Sequence, residues 1–184
     1  MRKRIFDVFF AILGILFSSI FVFLLYVLAS LDTRQNGIFV QKRIGQYGKS
    51  FPIYKLRTFG LSKENPVSKF GTFLRNSKLD ELPQFWNVLL GQMSFVGPRP
   101  DIAGYYDTLE GENRKILELK PGITSRASIK YANEDVLLAE QKEPLNYNDT
   151  VIFPEKVKMN LDYYYTNSLN IDMKIIWDTI FRKE

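Results

Sequence analysis

The chain has 184 residues, enough for one compact domain with a hydrophobic core and too few for two ordinary ones. It contains no cysteine and no histidine, which excludes disulfides, thiolate metal sites, a thiol nucleophile and an imidazole general base. Any chemistry must use carboxylates, lysine, arginine, tyrosine or hydroxyl groups, and a metal held by oxygen ligands would be a hard cation such as Mg²⁺. The net charge of +5 predicts an anionic partner, which could be nucleic acid, a membrane surface or a phosphorylated substrate.

The N-terminal segment is the most apolar part of the chain. The basic cluster Arg2, Lys3 and Arg4 precedes an uncharged apolar run over residues 8–31. A membrane helix needs about 20 apolar residues, whereas the apolar region of a signal peptide has about 7–15 and ends at a small-residue cleavage site. We therefore predict a membrane helix within residues 1–34 that stays in the mature protein. A buried helix of a soluble protein is the alternative.

Basic residues flank this helix on both sides, since Arg34, Lys42, Arg43 and Lys49 follow it. Such residues favour the cytoplasmic side of a membrane. A helix that enters the membrane, bends and returns to the same face would satisfy both flanks. Ser18 and Ser19 lie near its middle, where their hydroxyls could bond to backbone carbonyls and help a bend. The pattern predicts a re-entrant helix and leaves a full span open.

Residues 37–59 contain two short apolar runs around the turn-forming stretch RIGQYGKS, which predicts a β-hairpin. The hairpin would carry Lys42, Arg43, Lys55 and Arg57. The polar stretch GLSKENPVSKFG then predicts a loop. A short helix is expected from Ser68, and a second one from about Asp80.

Two adjacent acids, Asp80 and Glu81, open the segment LDELPQFWNVLLGQMSFVGPRPD. The dipole of a helix favours acids in its first turn, so capping is the ordinary interpretation of this pair. At the other end, Pro98 and Pro100 would hold Arg99 in one direction. A solvated arginine in an ordinary turn is the alternative there.

The remaining chain predicts more helix than strand. Residues 103–120 predict a helix, KPGITS a turn, RASIKY a strand and ANEDVLLAEQKE another helical piece. The last thirty residues predict two helices around TNSLN. The final helix has an apolar side edged by Lys174, Arg182 and Lys183, which is typical either of a core helix or of one lying on a membrane.

Taken together, these segments resemble the bacterial sugar transferase family of monotopic phosphoglycosyl transferases, especially its small members that consist of the catalytic domain alone. The matching stretches run in order over nearly the whole chain: KRIFDV, FVQKRIG, IYKLRTF, FLRNSKLDELPQFWNVLLGQMSFVGPRPD, KPGIT and LDYYYTNSLNIDMKIIWDTI. The resemblance implies an α+β, mainly helical fold. Residues 1–34 would form a re-entrant membrane helix, and residues 35–184 a catalytic domain with a β-hairpin and interfacial amphipathic helices.

The resemblance also implies a function. A sugar-1-phosphate would pass from a nucleotide sugar, typically a UDP-sugar, to polyprenol phosphate (undecaprenyl phosphate), with release of UMP. The reaction would be the first membrane step of surface glycan biosynthesis, at the cytoplasmic face of the bacterial inner membrane. Asp80 matches the family's nucleophile, which forms a covalent aspartyl phospho-sugar, and Glu81 matches its Mg²⁺ ligand. Membrane lipids would be further partners, and a homo-oligomer stays open.

The chemistry is consistent with these roles. A carboxylate can attack phosphorus if the negative charges of both groups are neutralised, and Mg²⁺ and fixed cations can neutralise them. Arg99 is the first candidate for binding phosphate, followed by Arg75 and Lys55. Arg57 and Arg43 come after them, with a structural or lipid-headgroup role as the alternative.

Two stretches depart from the family pattern. Ser18-Ser19 stands where a Ser-Pro pair is common, and SRASIKYANE follows Thr124 in place of Gly-Trp-Ala-Gln-Val-Asn-Gly-Arg. The family's arginine there falls at Ala132, although Arg126 or Lys130 could substitute for it. A catalytically inactive membrane scaffold of the same fold is therefore the competing hypothesis. A nucleic-acid binder rests on charge alone, because no recognised binding motif is present.

Overall fold

The computed structural model describes residues 2–61 and 66–181, and this part of the chain is mainly helical with two small sheets. Its α-helices are α1 (Arg2–Thr33), α2 (Lys69–Asn76), α3 (Gln84–Leu89), α4 (Arg126–Lys130), α5 (Glu134–Ala139), α6 (Pro144–Tyr147), α7 (Phe153–Thr166) and α8 (Leu169–Ile180). Its strands are β1 (Ile38–Ile44), β2 (Ser50–Leu56), β3 (Ser94–Val96) and β4 (Gly122–Thr124). The mainly helical fold, the hairpin β1–β2 and the long N-terminal helix are confirmed.

Helix α1 is a single helix of 32 residues, about 48 Å long at 1.5 Å per residue. By length and composition it could cross a membrane, and only 11% of its most apolar stretch is buried. The Ser18 hydroxyl donates to the Gly14 carbonyl at 2.6 Å, and the Ser19 hydroxyl to the Leu16 carbonyl at 3.2 Å. The helix continues through both serines, and re-entrance stays a prediction.

Contacts divide the chain into two compact units, the first formed by residues 1–43 and 50–93. Within it, α1 packs closely against α3. Gly14 of α1 makes this approach possible, since a Cβ added there would lie 2.6 Å from the Phe85 ring of α3. Arg4 donates to the carbonyls of Val88 and Leu89 at 2.6 and 2.8 Å. These carbonyls end α3, where the helix dipole favours a cation. Arg4, in the first turn of α1, therefore caps the C-terminal end of α3, the helix that follows the Asp-Glu pair.

The interior of this unit joins the hairpin to the same helix. Asn87 of α3 is completely buried. Its Oδ1 accepts from the Tyr54 backbone N–H at 3.1 Å, and its Nδ2 donates to the Pro52 carbonyl at 2.7 Å. The buried core cluster beside them consists of Leu25, Leu56 and Leu74. Strand β2 is thus fixed to α3 by hydrogen bonds and to α1 and α2 by apolar contacts.

The second unit comprises residues 44–49 and 94–184. Strands β3 and β4 are parallel, with Ser94 opposite Gly122 and Val96 opposite Thr124. Two apolar clusters form around them and helices α7 and α8: Tyr106, Ile116, Leu117 and Val157, and then Val96, Tyr163 and Ile175. The predicted pair of C-terminal helices around TNSLN is confirmed. One side of α8 is buried through Asp172 and Ile175, whereas Trp177 and Ile180 are exposed.

Two predictions around residue 125 are wrong. The stretch KPGITS contains strand β4 rather than only a turn, and RASIKY forms helix α4 rather than a strand. Ser125 is the reason for the second error, because its hydroxyl accepts from the Ser128 backbone N–H at 3.0 Å. This N-cap begins a helix, although Ile129 and Tyr131 are of residue types that favour strands.

Two helix predictions also need correction. Residues 103–120 form two 3-10 segments, Tyr106–Thr108 and Gly111–Glu118, and not one α-helix. Gly104 and Gly111 have positive φ angles of 101° and 55°, which no α-helix contains. The helix expected from Asp80 begins instead at Gln84. Residues 62–65 of the predicted loop, and Arg182 and Lys183, lie outside the described residues.

Candidate active site

The acid pair lies in a short 3-10 turn, Leu79–Glu81, between α2 and α3. Lys78, directly before the turn, has the left-handed φ of 56°, which is strained for a residue with a side chain. Asp80 and Glu81 are each only 8% exposed. The cap positions of the turn and of α3 are Lys78 and Pro83, and neither has a side-chain capping hydrogen bond. Both acids therefore lie inside the turn, and neither stands at an N-cap position.

Two adjacent buried carboxylates repel each other and lose hydration, so they need cations or hydrogen-bond donors nearby. Lys55 of β2 is one such cation, with its Nζ 2.9 Å from Glu81 Oε1. The side chains of Lys55 and Glu81 are 22% and 9% exposed. In this environment the ion pair is stronger than on an open surface, and it fixes the direction of the Glu81 carboxylate.

Arg75, at the end of α2, belongs to the same unit as the acid pair. Its guanidinium lies over the Phe59 ring, 4.2 Å from the centroid. Its Nε donates to the Thr58 hydroxyl at 3.2 Å. Phe59 thus supplies the ring face on which Arg75 rests.

Two further cations of the hairpin, Arg57 and Arg43, bond to other residues of the first unit. Arg57 Nε donates to the Asn36 carbonyl at 2.7 Å, and its guanidinium lies 5.5 Å from the centroid of Phe39. Arg43 Nε donates to Gln41 Oε1 at 3.0 Å. These contacts attach both guanidinium groups to neighbouring residues, and a phosphate-binding role for Arg57 and Arg43 stays a prediction.

Arg99 lies in the second unit, directly after β3. It is exposed between two buried prolines. The Pro98 carbonyl accepts from the Gly122 backbone N–H at 2.9 Å, and the Gly97 N–H donates to the Thr124 carbonyl at 3.1 Å. The GPRP and PGIT motifs, which are separate in sequence, are therefore paired in space, and this pairing fixes the backbone that carries Arg99.

The donor set of the acid pair fits the Mg²⁺ ion that the family implies. In the described ranges, no group of three or more Asp, Glu, His or Cys side chains could form a complete protein cage for a metal. Mg²⁺ does not need one, because it is commonly held by one or two carboxylates and completes its shell with water and substrate phosphates. Glu81, the ligand that the resemblance implies, is the residue that would hold it.

Gln84 is a residue that sequence reasoning missed. It follows Asp80 by four residues and Glu81 by three, and it is 1% exposed. Its Nε2 is buried, and no hydrogen-bond acceptor is found for it among the described residues. A buried amide without an acceptor is unusual and costly. Its spacing from the acids was the only signal in the sequence.

A long apolar helix, together with a buried Asp-Glu pair held by a lysine, agrees with the class of membrane-associated transferases. The chain belongs to the bacterial sugar transferase family, whose model matches residues 1–183. The family assignment confirms the predicted resemblance and the predicted enzyme class, a sugar transferase.

Relatives with known names are similar over most of this chain. Galactosyl transferase CpsE of Streptococcus agalactiae is 32% identical over 98% of the chain and 41% of its own length. The UDP-glucose:undecaprenyl-phosphate glucose-1-phosphate transferase of Klebsiella pneumoniae is 33% identical over 86% of the chain and 35% of its own length. The uncharacterized sugar transferase EpsL of Bacillus subtilis is 30% identical over 97% of the chain and 85% of its own length. The chain thus spans less than half of the first two relatives and most of the third.

Proposed function

We propose that this chain transfers a sugar-1-phosphate from a UDP-sugar to undecaprenyl phosphate and releases UMP. The observation that carries the proposal is the buried Asp80-Glu81 pair beside Lys55 in a member of the sugar transferase family. The name of the Klebsiella relative gives UDP-glucose and undecaprenyl phosphate as its substrates. Another relative is named a galactosyl transferase, so the sugar itself is not assigned.

The proposed reaction has two displacements at one phosphorus atom. In the first, an Asp80 carboxylate oxygen attacks the phosphorus that bears the sugar, the bond from this phosphorus to the bridging oxygen breaks, and UMP leaves with that oxygen. In the second, a phosphate oxygen of undecaprenyl phosphate attacks the same phosphorus, and the bond to Asp80 breaks. The products are undecaprenyl diphosphate sugar and the free carboxylate. Since the acceptor is already an anion, no strong general base is needed, in agreement with the lack of histidine.

The other site residues support this chemistry through charge and position. Lys55 orients Glu81 and offsets its charge. Glu81 would hold Mg²⁺, which would neutralise charge on the diphosphate. Arg99 and Arg75 are proposed to contact substrate phosphates. Arg57 and Arg43 are proposed to stabilise the hairpin, given their bonds to the Asn36 carbonyl and to Gln41.

The decisive experiment measures UMP release from UDP-sugars with undecaprenyl phosphate and Mg²⁺. Asp80→Asn should abolish release, because an amide cannot act as the nucleophile, and Glu81→Gln should remove the response to Mg²⁺. Asp135→Asn is the matched control, since Asp135 is an exposed acid of α5, and it should keep wild-type activity. Wild-type release by Asp80→Asn would disprove the nucleophile. No release by the wild type with any UDP-sugar would favour the inactive scaffold, which neither the family nor the acid pair otherwise supports.

We further propose that α1 is re-entrant, with residues 35–184 on the cytoplasmic face of the inner membrane. The basic residues on both flanks of α1 support this topology. The chain has no cysteine, so a single cysteine placed by Arg2→Cys or Asp32→Cys can be labelled without background. Neither should react with an impermeant maleimide added outside intact cells. Reaction of only one of them would show that α1 spans the membrane.

A further inference from the structure

Helices α4 and α8 of the second unit enclose a cleft of about 300 Å³. Its lining residues are Arg126, Ile129, Lys130, Lys174, Ile175 and Asp178. The two isoleucines supply an apolar part, and the other four side chains are charged. Ligand pockets usually measure about 300–1,000 Å³, so this cleft suits a small charged group better than a whole nucleotide sugar. None of the described residues that line it has an aromatic ring on which a base could stack.

The charges of the cleft favour an anion. The charge of Lys130 is already offset, because Lys130 forms an ion pair with Glu155. The other two cations of the cleft are Arg126 and Lys174. Arg126 and Lys174 are exposed, and neither side chain forms a hydrogen bond or ion pair with another residue within ranges 2–61 and 66–181. They extend from different helices into one cleft. Two such cations can bind a phosphate together, while Asp178 can accept a hydrogen bond from a hydroxyl beside that phosphate.

An exposed apolar stripe on α8 lies beside Lys174. Met173, Trp177 and Ile180 are spaced by four and three residues and so share one side of the helix. They are 47%, 63% and 68% exposed. The Phe181 ring packs on Trp177 with a centroid distance of 4.1 Å. Tryptophan beside lysine is typical of a helix at a membrane interface, where the ring enters the headgroup region and the ammonium stays in water.

We propose that the α4–α8 cleft binds the phosphate of an anionic glycerophospholipid while the Met173, Trp177 and Ile180 stripe lies in the headgroup region of the bilayer. Arg126 and Lys174 contact the phosphate, and Asp178 accepts a hydrogen bond from a headgroup hydroxyl, as phosphatidylglycerol offers. The inference rests on the proposed function in one respect, namely that the protein works at a membrane. It adds a lipid site distinct from the turn that carries the acid pair.

The test uses the full chain in bilayers of equal amounts of phosphatidylglycerol and phosphatidylcholine, with bromine on the acyl chains of one lipid at a time. The chain has two tryptophans, so Trp86→Phe leaves Trp177 as the only tryptophan, whose emission can be excited selectively over that of tyrosine. Brominated phosphatidylglycerol should quench Trp177 more than brominated phosphatidylcholine. The preference should be about fivefold for each contributing cation, the effect expected of one basic side chain near an anionic surface. If Trp86→Phe does not fold, the difference between wild type and Trp177→Phe gives the same signal.

Arg126→Gln with Lys174→Gln should remove the preference for phosphatidylglycerol. Arg114→Gln with Lys142→Gln removes two charges from residues outside the cleft lining and should retain the preference. The proposal is overturned if Trp177 is not quenched, if both lipids quench it equally, or if the cleft variant keeps the preference. Loss of the preference in excess soluble glycerol phosphate would also overturn it, since the cleft would then take free phosphate. The measurement needs no nucleotide sugar, so an inactive enzyme with intact lipid preference would refute the proposed reaction alone.

Discussion

Two ion pairs of equal length show how burial determines the contribution of a single contact to stability. Lys55 and Glu81 lie 2.9 Å apart with side chains 22% and 9% exposed. Lys115 and Glu112 also lie 2.9 Å apart, but their side chains are 40% and 56% exposed. Water screens the second pair and can replace it, whereas loss of Lys55 leaves a carboxylate buried beside Asp80. The first contact should therefore matter far more to the fold.

We predict that Lys55→Gln lowers the free energy of unfolding by about 1–3 kcal/mol, because the buried Glu81 carboxylate loses a cationic partner. The matched change Lys115→Gln should cost less than about 1 kcal/mol. Urea unfolding in detergent, followed by circular dichroism, measures both values. Equal costs for the two variants would contradict the role given to burial.

Tyr106 provides a prediction about alkaline pH. Burial, first of all, raises the pKa of Tyr106 above its usual range, and Asn160 donates to its hydroxyl at 2.8 Å. An unfolded tyrosine loses its proton near pH 10, whereas the folded chain keeps it, so above that pH the unfolded state binds fewer protons. Stability should then fall as pH rises from about 10, and be fully present below it.

Tyr106→Phe should make this alkaline decline shallower, although the variant starts from a lower stability because Asn160 loses its acceptor. Urea midpoints at about pH 9 and about pH 11 give the comparison, since they lie on either side of the tyrosine pKa in unfolded chains. An equally steep decline in the variant would show that Tyr106 does not contribute.

Secondary-structure elements were predicted correctly where a long apolar pattern marks them in the sequence. They were missed where a strand pairs with a partner far away in the chain. The apolar length of α1 and the period of the C-terminal helices were sufficient signals. Strand β4 was not predicted, since its partner β3 lies 28 residues earlier at Ser94 and no local pattern encodes a parallel pairing. Helix α4 was misread because a single hydroxyl, that of Ser125, outweighs the β-propensity of the residues after it.

The candidate site likewise contains residues that the sequence identified and residues that it did not. The residues Asp80 and Glu81 came from a resemblance, since composition alone favoured helix capping. Neither residue spacing nor charge could show that Lys55, 26 residues before Glu81, would contact it. Gln84 was missed because a glutamine early in a helix is ordinary until its burial is known.

The β3–β4 pair predicts a sharp glycine requirement. A Cβ at Gly122 would lie 2.1 Å from the Gly97 backbone nitrogen, a distance that forces the two strands apart. We expect Gly122→Ala to destabilise the protein by about 1–3 kcal/mol or more. Gly60→Ala is the control, since the nearest atom to its Cβ would be 3.9 Å away. Thermal unfolding in detergent compares them, and a wild-type midpoint for Gly122→Ala would refute the requirement.

On the scale of the whole molecule, α1 is a structural part of the first unit as well as an apolar segment. Leu25 shares a core with Leu56 and Leu74, and it is 5% exposed. Phe17 and Ile20 on the same helix are 86% and 77% exposed. One side of the helix therefore packs against the first unit, and the described residues leave its other side exposed. The division into residues 1–34 and 35–184 remains a prediction about topology, while packing joins the helix to residues 50–93.

We predict that deletion of residues 2–33 yields a chain that aggregates, because it uncovers the core around Leu56 and Leu74 and removes the Arg4 cap from α3. Size-exclusion chromatography and limited proteolysis of the truncated chain test this. Phe17→Ala in the full chain is the control, and in detergent it should leave the proteolysis pattern unchanged. A monomeric truncated chain with a protease-resistant 50–93 segment would show that the helix is only an anchor.

The hydrogen bonds from Arg4 to the end of α3 also impose an order on biosynthesis. Arg4 and the Val88 carbonyl are 84 residues apart in the chain, so at about 5–20 residues per second the ribosome makes the acceptor about 4–17 s after the donor. Once Thr33 has been made, α1 is complete, and it remains so for the rest of this interval while α3 does not yet exist. The turn that holds Asp80 and Glu81 is therefore assembled onto a helix already available to the insertion machinery. Targeting would thus precede the formation of the acid pair in every newly made molecule.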